Sequence, residues 1–289
     1  AELRHAPGSP ETGSAFQHAR RQSERGRDAA ASALPSGMMI DMEENDGVVR
    51  LTLNRPEARN ALNSKGMAQL CDAFAETAQN RDARVLVIQA AGAAFSAGRD
   101  LKEAPNLPLE TSLQQHDDWA TAYQHLQRLS IPSVAVVQGF AVAGGFTLAM
   151  GCDFVLASRN AKFGAMEMAN GFPAAVCTPL LAHLVGPRLG LELALFGEPV
   201  GADRLYEMGL INALADDETA LSALADDFVA RLLRLNPAAV KQTKETFRAA
   251  RSMPVDQAMT IGKHLNQLLD AAGNFKSGSK AFEERAKRS

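Results

Sequence analysis

From Met39 onward the apolar residues recur with two periods, one that suits strands and one that suits helices. Residues 40–43, the turn-like Glu44-Asn45-Asp46-Gly47, and residues 48–53 read as a hairpin. A helix is predicted over residues 64–78, where Met67, Leu70, Cys71, Phe74, Ala75 and Ala78 form one stripe at i, i+3, i+4, i+7, i+8 and i+11. Residues 84–89 read as a buried strand, 111–129 as a helix and 133–138 as another strand. Such alternation predicts a parallel-type sheet with helices packed on it. After a strand at 153–158 the chain becomes mostly helical, with segments expected near 176–185, 187–196, 201–209, 217–234, 237–251, 254–272 and, highly charged, 278–287.

The run from Val134 to Cys152 carries only Gln138 and Thr147 as polar side chains, long enough by itself to cross a membrane. Ile131-Pro132-Ser133 opens it as a strand, Gln138-Gly139 interrupts it, and Asp153 follows without a basic anchor. A buried strand, a glycine turn and a buried helix fit better. Residues 1–37 lack large apolar positions, so they read as a disordered leader, with Met38 or Met39 as an alternative natural start.

Composition narrows the function classes. A net charge of -3 and 6% aromatic residues give neither the field nor the stacking surface expected of a nucleic-acid binder. Cys71, Cys152 and Cys177 are odd in number and widely spaced, which suits reduced thiols in a cytoplasmic protein rather than a disulfide framework. The six histidines show no ligand spacing, so no metal is expected.

Two glycine-containing turns follow buried strands: Gly92-Ala93-Ala94-Phe95-Ser96-Ala97-Gly98-Arg99-Asp100-Leu101 and Gln138-Gly139-Phe140-Ala141-Val142-Ala143-Gly144-Gly145. Each is expected to run into a helix whose first N–H groups are unpaired. Two such turns together can aim two N–H donors at one developing oxyanion. No phosphate-binding loop, dinucleotide fingerprint or nucleophile elbow is present.

Several motifs, in order, carry a resemblance. Leu53-Asn54-Arg55-Pro56-Glu57-Ala58-Arg59-Asn60-Ala61-Leu62, the segments 95–103 and 131–153, Phe163-Gly164-Ala165-Met166-Glu167, Leu195-Phe196-Gly197, Gly209-Leu210-Ile211-Asn212 and the stretch 236–247 are together similar to the crotonase (enoyl-CoA hydratase/isomerase) family, covering about residues 40 to 285. The resemblance implies an α/β spiral of ββα repeats over residues 38–232, and a helical region over 233–289 that builds a homotrimer or homohexamer. It implies an acyl-CoA substrate, with coenzyme A as part of that substrate and no permanently bound cofactor. The backbone N–H groups of Arg99 and Gly144 would hold the thioester oxygen. Ala97, Asp100 and Leu101 would meet the adenine by backbone contacts, and Arg55 and Arg59 are candidates for CoA phosphates. Ala58, Gly98, Gly145 and Thr147 complete the expected substrate-binding set. Glu57 stands where the family often has Lys.

The resemblance also locates the acid/base groups. Hydratases of the family carry two glutamates. Thr147 stands at the first position and Glu167 at the second, while Ala174 falls where peroxisomal-type enoyl isomerases have a carboxylate. A lone Glu167 among Met166, Met168 and Phe172 is expected to be partly desolvated, with a raised pKa. One carboxylate suits double-bond migration. Hydration with Glu167 alone, decarboxylation, and non-catalytic acyl-CoA binding are the alternatives.

Overall fold

The computed structural model describes residues 38–103 and 106–273, together with 276, 278, 279 and 287. The expected leader, and most of the charged helix near 278–287, lie outside the described residues. β1 (Ile40–Asn45) and β2 (Val48–Leu53) pair antiparallel. Asp46 and Gly47 join them with φ of 50° and 79°, the left-handed pair that a two-residue hairpin turn requires. The striped helix is α1 (Ser64–Gln79), whose N-cap Asn63 side chain accepts from the Gly66 N–H.

The remaining strands are β3 (Val85–Ala90), β4 (Ser133–Val137), β5 (Phe140–Val142), β6 (Phe154–Ser158), β7 (Lys162–Gly164), β8 (Val200–Gly201) and β9 (Ala213–Ala215). The helices after α1 are α2 (Leu109–Arg128), α3 (Gly144–Gly151), α4 (Cys177–Leu184), α5 (Pro187–Phe196), α6 (Ala202–Glu207), α7 (Glu218–Leu233), α8 (Pro237–Ala250) and α9 (Val255–Ala271).

A six-stranded sheet runs β1-β2-β3-β4-β6-β9, parallel from β2 onward. Its central strands β3, β4 and β6 are buried on both faces, which is why they read as continuous apolar runs. Val85, Val87, Val134, Val136 and Leu156 turn toward Leu221, Ala225 and Val229 of α7. Their neighbours Leu86, Ile88, Ala135 and Val137 turn into the larger core on the opposite face.

That core rests against a second, smaller layer, β5-β7-β8, with Ser96 bridged alongside Ala141. The chain visits the two layers in turn: β3 then Ser96, β4 then β5, β6 then β7. This repeat is the expected α/β spiral. The run from Val134 to Cys152 resolves into β4, β5 and α3, and no helix among the described residues is long and apolar enough to cross a membrane.

One expectation is corrected. Among the described residues, only the second glycine turn runs directly into an α-helix. After Gly98 the first continues as a bridge to Leu62 and a turn, and α2 begins only at Leu109. The Arg99 amide therefore owes nothing to a helix terminus. Leu62 accepts from the Asp100 N–H and donates to Gly98 O, so the two bonds flank residue 99 and leave its own N–H outside the pairing.

Candidate active site

Three parallel segments of the second layer lie side by side in one register. Ser96 pairs with Ala141, and Ala141 with Phe163. Counting three residues on from Ser96 and Ala141, and four from Phe163, gives Arg99, Gly144 and Glu167. The groups singled out by sequence therefore leave the same edge of the same layer.

The first two approach closely. A Cβ built on Gly98 would lie 2.5 Å from Gly144 N, and one on Gly145 would lie 2.3 Å from Ser96 O. Gly98 also has φ +81°, so both space and backbone exclude a side chain there. Gly145 is accordingly a packing residue against Ser96. Ala143 has φ 51° and ψ -125°, a sparsely populated conformation for a non-glycine residue. It is held by its N–H to Gly164 O at 2.8 Å and by its own carbonyl, which accepts from the Thr147 N–H at 3.1 Å. This conformation fixes the direction of the next amide, that of Gly144. No hydrogen bond from the Arg99 or Gly144 N–H to another described residue is formed.

Glu167 is half-buried, and its Oε2 is buried without a hydrogen-bond partner among the described residues. Burial raises its pKa above the usual glutamate value, opposed in part by its own backbone N–H. Thr147 is 2% exposed, and its hydroxyl donates back to Ala143 O at 3.4 Å. It is a core group of α3 rather than one open to substrate water. Cys177, at the start of α4, stands near Thr147 and Glu167. Burial pushes this thiol up to about 12, so it is a neutral neighbour, not a nucleophile.

The expected CoA contacts divide. Arg55 is engaged within the chain: its guanidinium donates to Asp100 Oδ2 at 2.6 Å and to Ala61 O at 3.1 Å, and also pairs with Glu57. Burial works against the charge on Asp100, but Arg55 and the Lys102 N–H outweigh it and hold its carboxyl below the usual range. The pair thus clamps the first turn to the segment before α1. Arg59 is exposed, and its carbonyl accepts from the Ala97 N–H at 2.9 Å. Leu101 is exposed, whereas Ala58 and Ala97 are half-buried.

Two residues that sequence reasoning passed over belong to this neighbourhood. One is Cys177. The other is Trp119 on α2, whose ring tip would lie 2.4 Å from a Cβ on Gly144. Its helical spacing from Ser112 and His116 was the available signal. A separate cavity of about 610 Å³, lined by Leu180, Leu184, Leu232, Leu235, Lys244 and Phe247 among others, contains none of these groups. Among the described residues, no three His, Cys, Asp or Glu side chains gather as a metal site would need.

Comparison with known proteins decides the family. The model of the enoyl-CoA hydratase/isomerase family matches residues 43–289. The chain belongs to that family. Among its relatives is the (E)-benzylidenesuccinyl-CoA hydratase of Thauera aromatica, 30% identical over 251 residues, covering 86% of this chain and 97% of the relative. Another is the 1,2-epoxyphenylacetyl-CoA isomerase of Escherichia coli, 30% identical, covering 82% and 92%. The enoyl-CoA hydratase structure from Mycobacterium smegmatis superposes with a TM-score of 0.81 at 30% identity, over 86% of this chain and 96% of that one. This family member is an acyl-CoA enzyme of the hydratase/isomerase type.

Proposed function

We infer that the protein is an enoyl-CoA isomerase that moves a double bond through a thioester enolate. Glu167 removes a proton at one carbon of the acyl chain, and the electrons pass to the thioester oxygen. The Arg99 and Gly144 amides hold that oxygen as its charge develops. Glu167 then returns the proton two carbons away, and the enolate collapses to the shifted alkene. Proton and electrons balance without a permanently bound cofactor or metal. Ala97, Asp100, Leu101 and Arg59 are the proposed surroundings of the coenzyme A portion, and a homotrimer or homohexamer is the proposed assembly.

The observation carrying this reading is the single carboxylate. Glu167 keeps a buried oxygen without a partner, while position 147 holds a hydroxyl already turned onto Ala143 O. Hydration needs a second group to activate water at the β-carbon, and a threonine is a poor base at neutral pH. The named hydratases among the relatives favour the second reading, hydration with Glu167 alone.

Trans-2- and cis-3-enoyl-CoA panels, with double-bond migration and water addition followed separately, distinguish the two. Migration is expected to dominate. Glu167→Gln should lower turnover roughly 10²–10⁴-fold while CoA thioesters still bind. Turnover that survives this substitution would sink the assignment of Glu167, and water addition outpacing migration would replace isomerase by hydratase.

A further inference from the structure

The residue whose amide is assigned to the oxyanion also carries a cationic side chain. The Arg99 guanidinium reaches α2, where it donates to Ser112 Oγ at 3.2 Å and lies 3.4 Å from His116 Nε2. Its Nε is buried and has no hydrogen-bond partner, and no carboxylate pairs with it among the described residues. This contrasts with Arg55, two acids of which lie within ion-pair distance. A half-buried guanidinium met only by a serine hydroxyl at 3.2 Å and an imidazole at 3.4 Å is incompletely compensated for the water it has lost.

Its place is defined by α2. Ser112, His116 and Trp119 stand at i, i+4 and i+7, one face of the helix. Trp119 covers Gly144, the second oxyanion donor. His116 precedes Trp119 by three residues, about 4.5 Å along the helix axis. The guanidinium is therefore held on the same face of α2 that carries Trp119 onto Gly144.

We propose that Arg99, flanked by Ser112 and His116, receives a carboxylate carried on the acyl group, so that the preferred substrate is a CoA thioester of a dicarboxylic acid rather than of a plain fatty acid. A carboxylate there supplies the missing acceptor for the Arg99 head and Nε and compensates its charge, which a methyl or ester terminus cannot do. Ser112 positions the head, and His116 gains a partner for its ring. This rests on the oxyanion assignment for its location, but its test does not need turnover.

The experiment compares two unreactive saturated ligands on the purified full chain by calorimetry: short ω-carboxyacyl-CoA thioesters and their methyl esters. The acid is expected to bind roughly ten- to a hundredfold more tightly than its ester. Arg99→Gln should bring that ratio near one, and Arg99→Lys should leave an intermediate value because it keeps the charge and loses the planar fork. Equal binding of acid and ester by the unaltered protein overturns the proposal, with no variant required. So does a ratio that survives Arg99→Gln. Free coenzyme A is the control for the other anion source: if Arg99→Gln weakens it as much as both thioesters, the side chain serves a CoA phosphate and the proposal fails. Loss of turnover in Glu167→Gln bears on the isomerase reading alone and leaves this ratio untouched.

Discussion

Gly98 is the residue at which geometry is least forgiving. A methyl group there would press on Gly144 N and Ala143 Cβ while forcing an L-residue to φ +81°. Gly98→Ala is therefore expected to cost about 1–3 kcal/mol of stability, read from denaturant midpoints. By separating the two amides it should also lower kcat by roughly 10²–10³-fold. Full activity in a folded variant would mean the two turns do not act together. Glu167 yields a pH prediction of definite sign. Its raised pKa in the folded protein, caused first by burial, means the folded state holds the proton more tightly than the unfolded state. Its contribution to stability is thus fully present below the unfolded-state glutamate pKa and is lost as pH rises through the folded value. Glu167→Gln should be more stable than the unaltered protein above that window and lose the advantage below it, which thermal melts across pH can read. Activity should follow the opposite limb, rising with pH as the base loses its proton.

At the scale of elements, the best-anticipated parts have long periodic signals. The α1 stripe, the hairpin turn at Asp46-Gly47 and the apolar strands β3 and β4 follow from spacing and backbone preference alone. β5, β7, β8 and β9 were not legible, because segments of two or three residues show no period and are ordered by pairing with distant partners. That loss matters for the site, since β5 and β7 set the register that aligns Gly144 with Glu167. Sequence motifs named both residues through family likeness but could not give the Ala143 conformation or the Thr147 hydrogen bond to its carbonyl. Nor could they show Arg55 spent on Asp100, an ion pair between residues 45 apart. A second long-range pair fastens α8. Lys244 donates to Asp153 Oδ2 at 2.5 Å and to Ile131 O at 2.7 Å, and Asp153 in turn accepts from the Ser133 N–H and hydroxyl. Burial lowers the Lys244 pKa, with Asp153 opposing. Lys244→Met keeps the stem and removes the charge, so it should cost about 2–3 kcal/mol, less than for a fully enclosed pair because Asp153 retains Ser133 and some solvent. A midpoint unchanged in this variant would show that α8 is held by its apolar contacts alone.

For the whole molecule, the last two described helices stand apart from the rest in what they bury. α8 has no buried residue and α9 only Ala258, although both are amphipathic by sequence and pack on each other. Phe247, Val255, Met259 and Leu268 are each more than 60% exposed. Large apolar side chains gathered on two adjoining helices are costly to leave in water, at about 25 cal/mol for each square ångström. Covering them with other copies of the chain resolves that cost, and a closed symmetric assembly leaves no copy of the face uncovered. The proposed trimer or hexamer predicts a light-scattering mass near three or six times the 30.8 kDa chain. Placing charge on that face, as Val255→Glu with Met259→Lys, should lower the mass while the sheet and its α7 layer remain folded, since neither side chain enters either core cluster. A monomeric mass for the unaltered chain would remove the assembly. The face would then need another partner, because an amphipathic helix with one buried residue has little else to hold it in place.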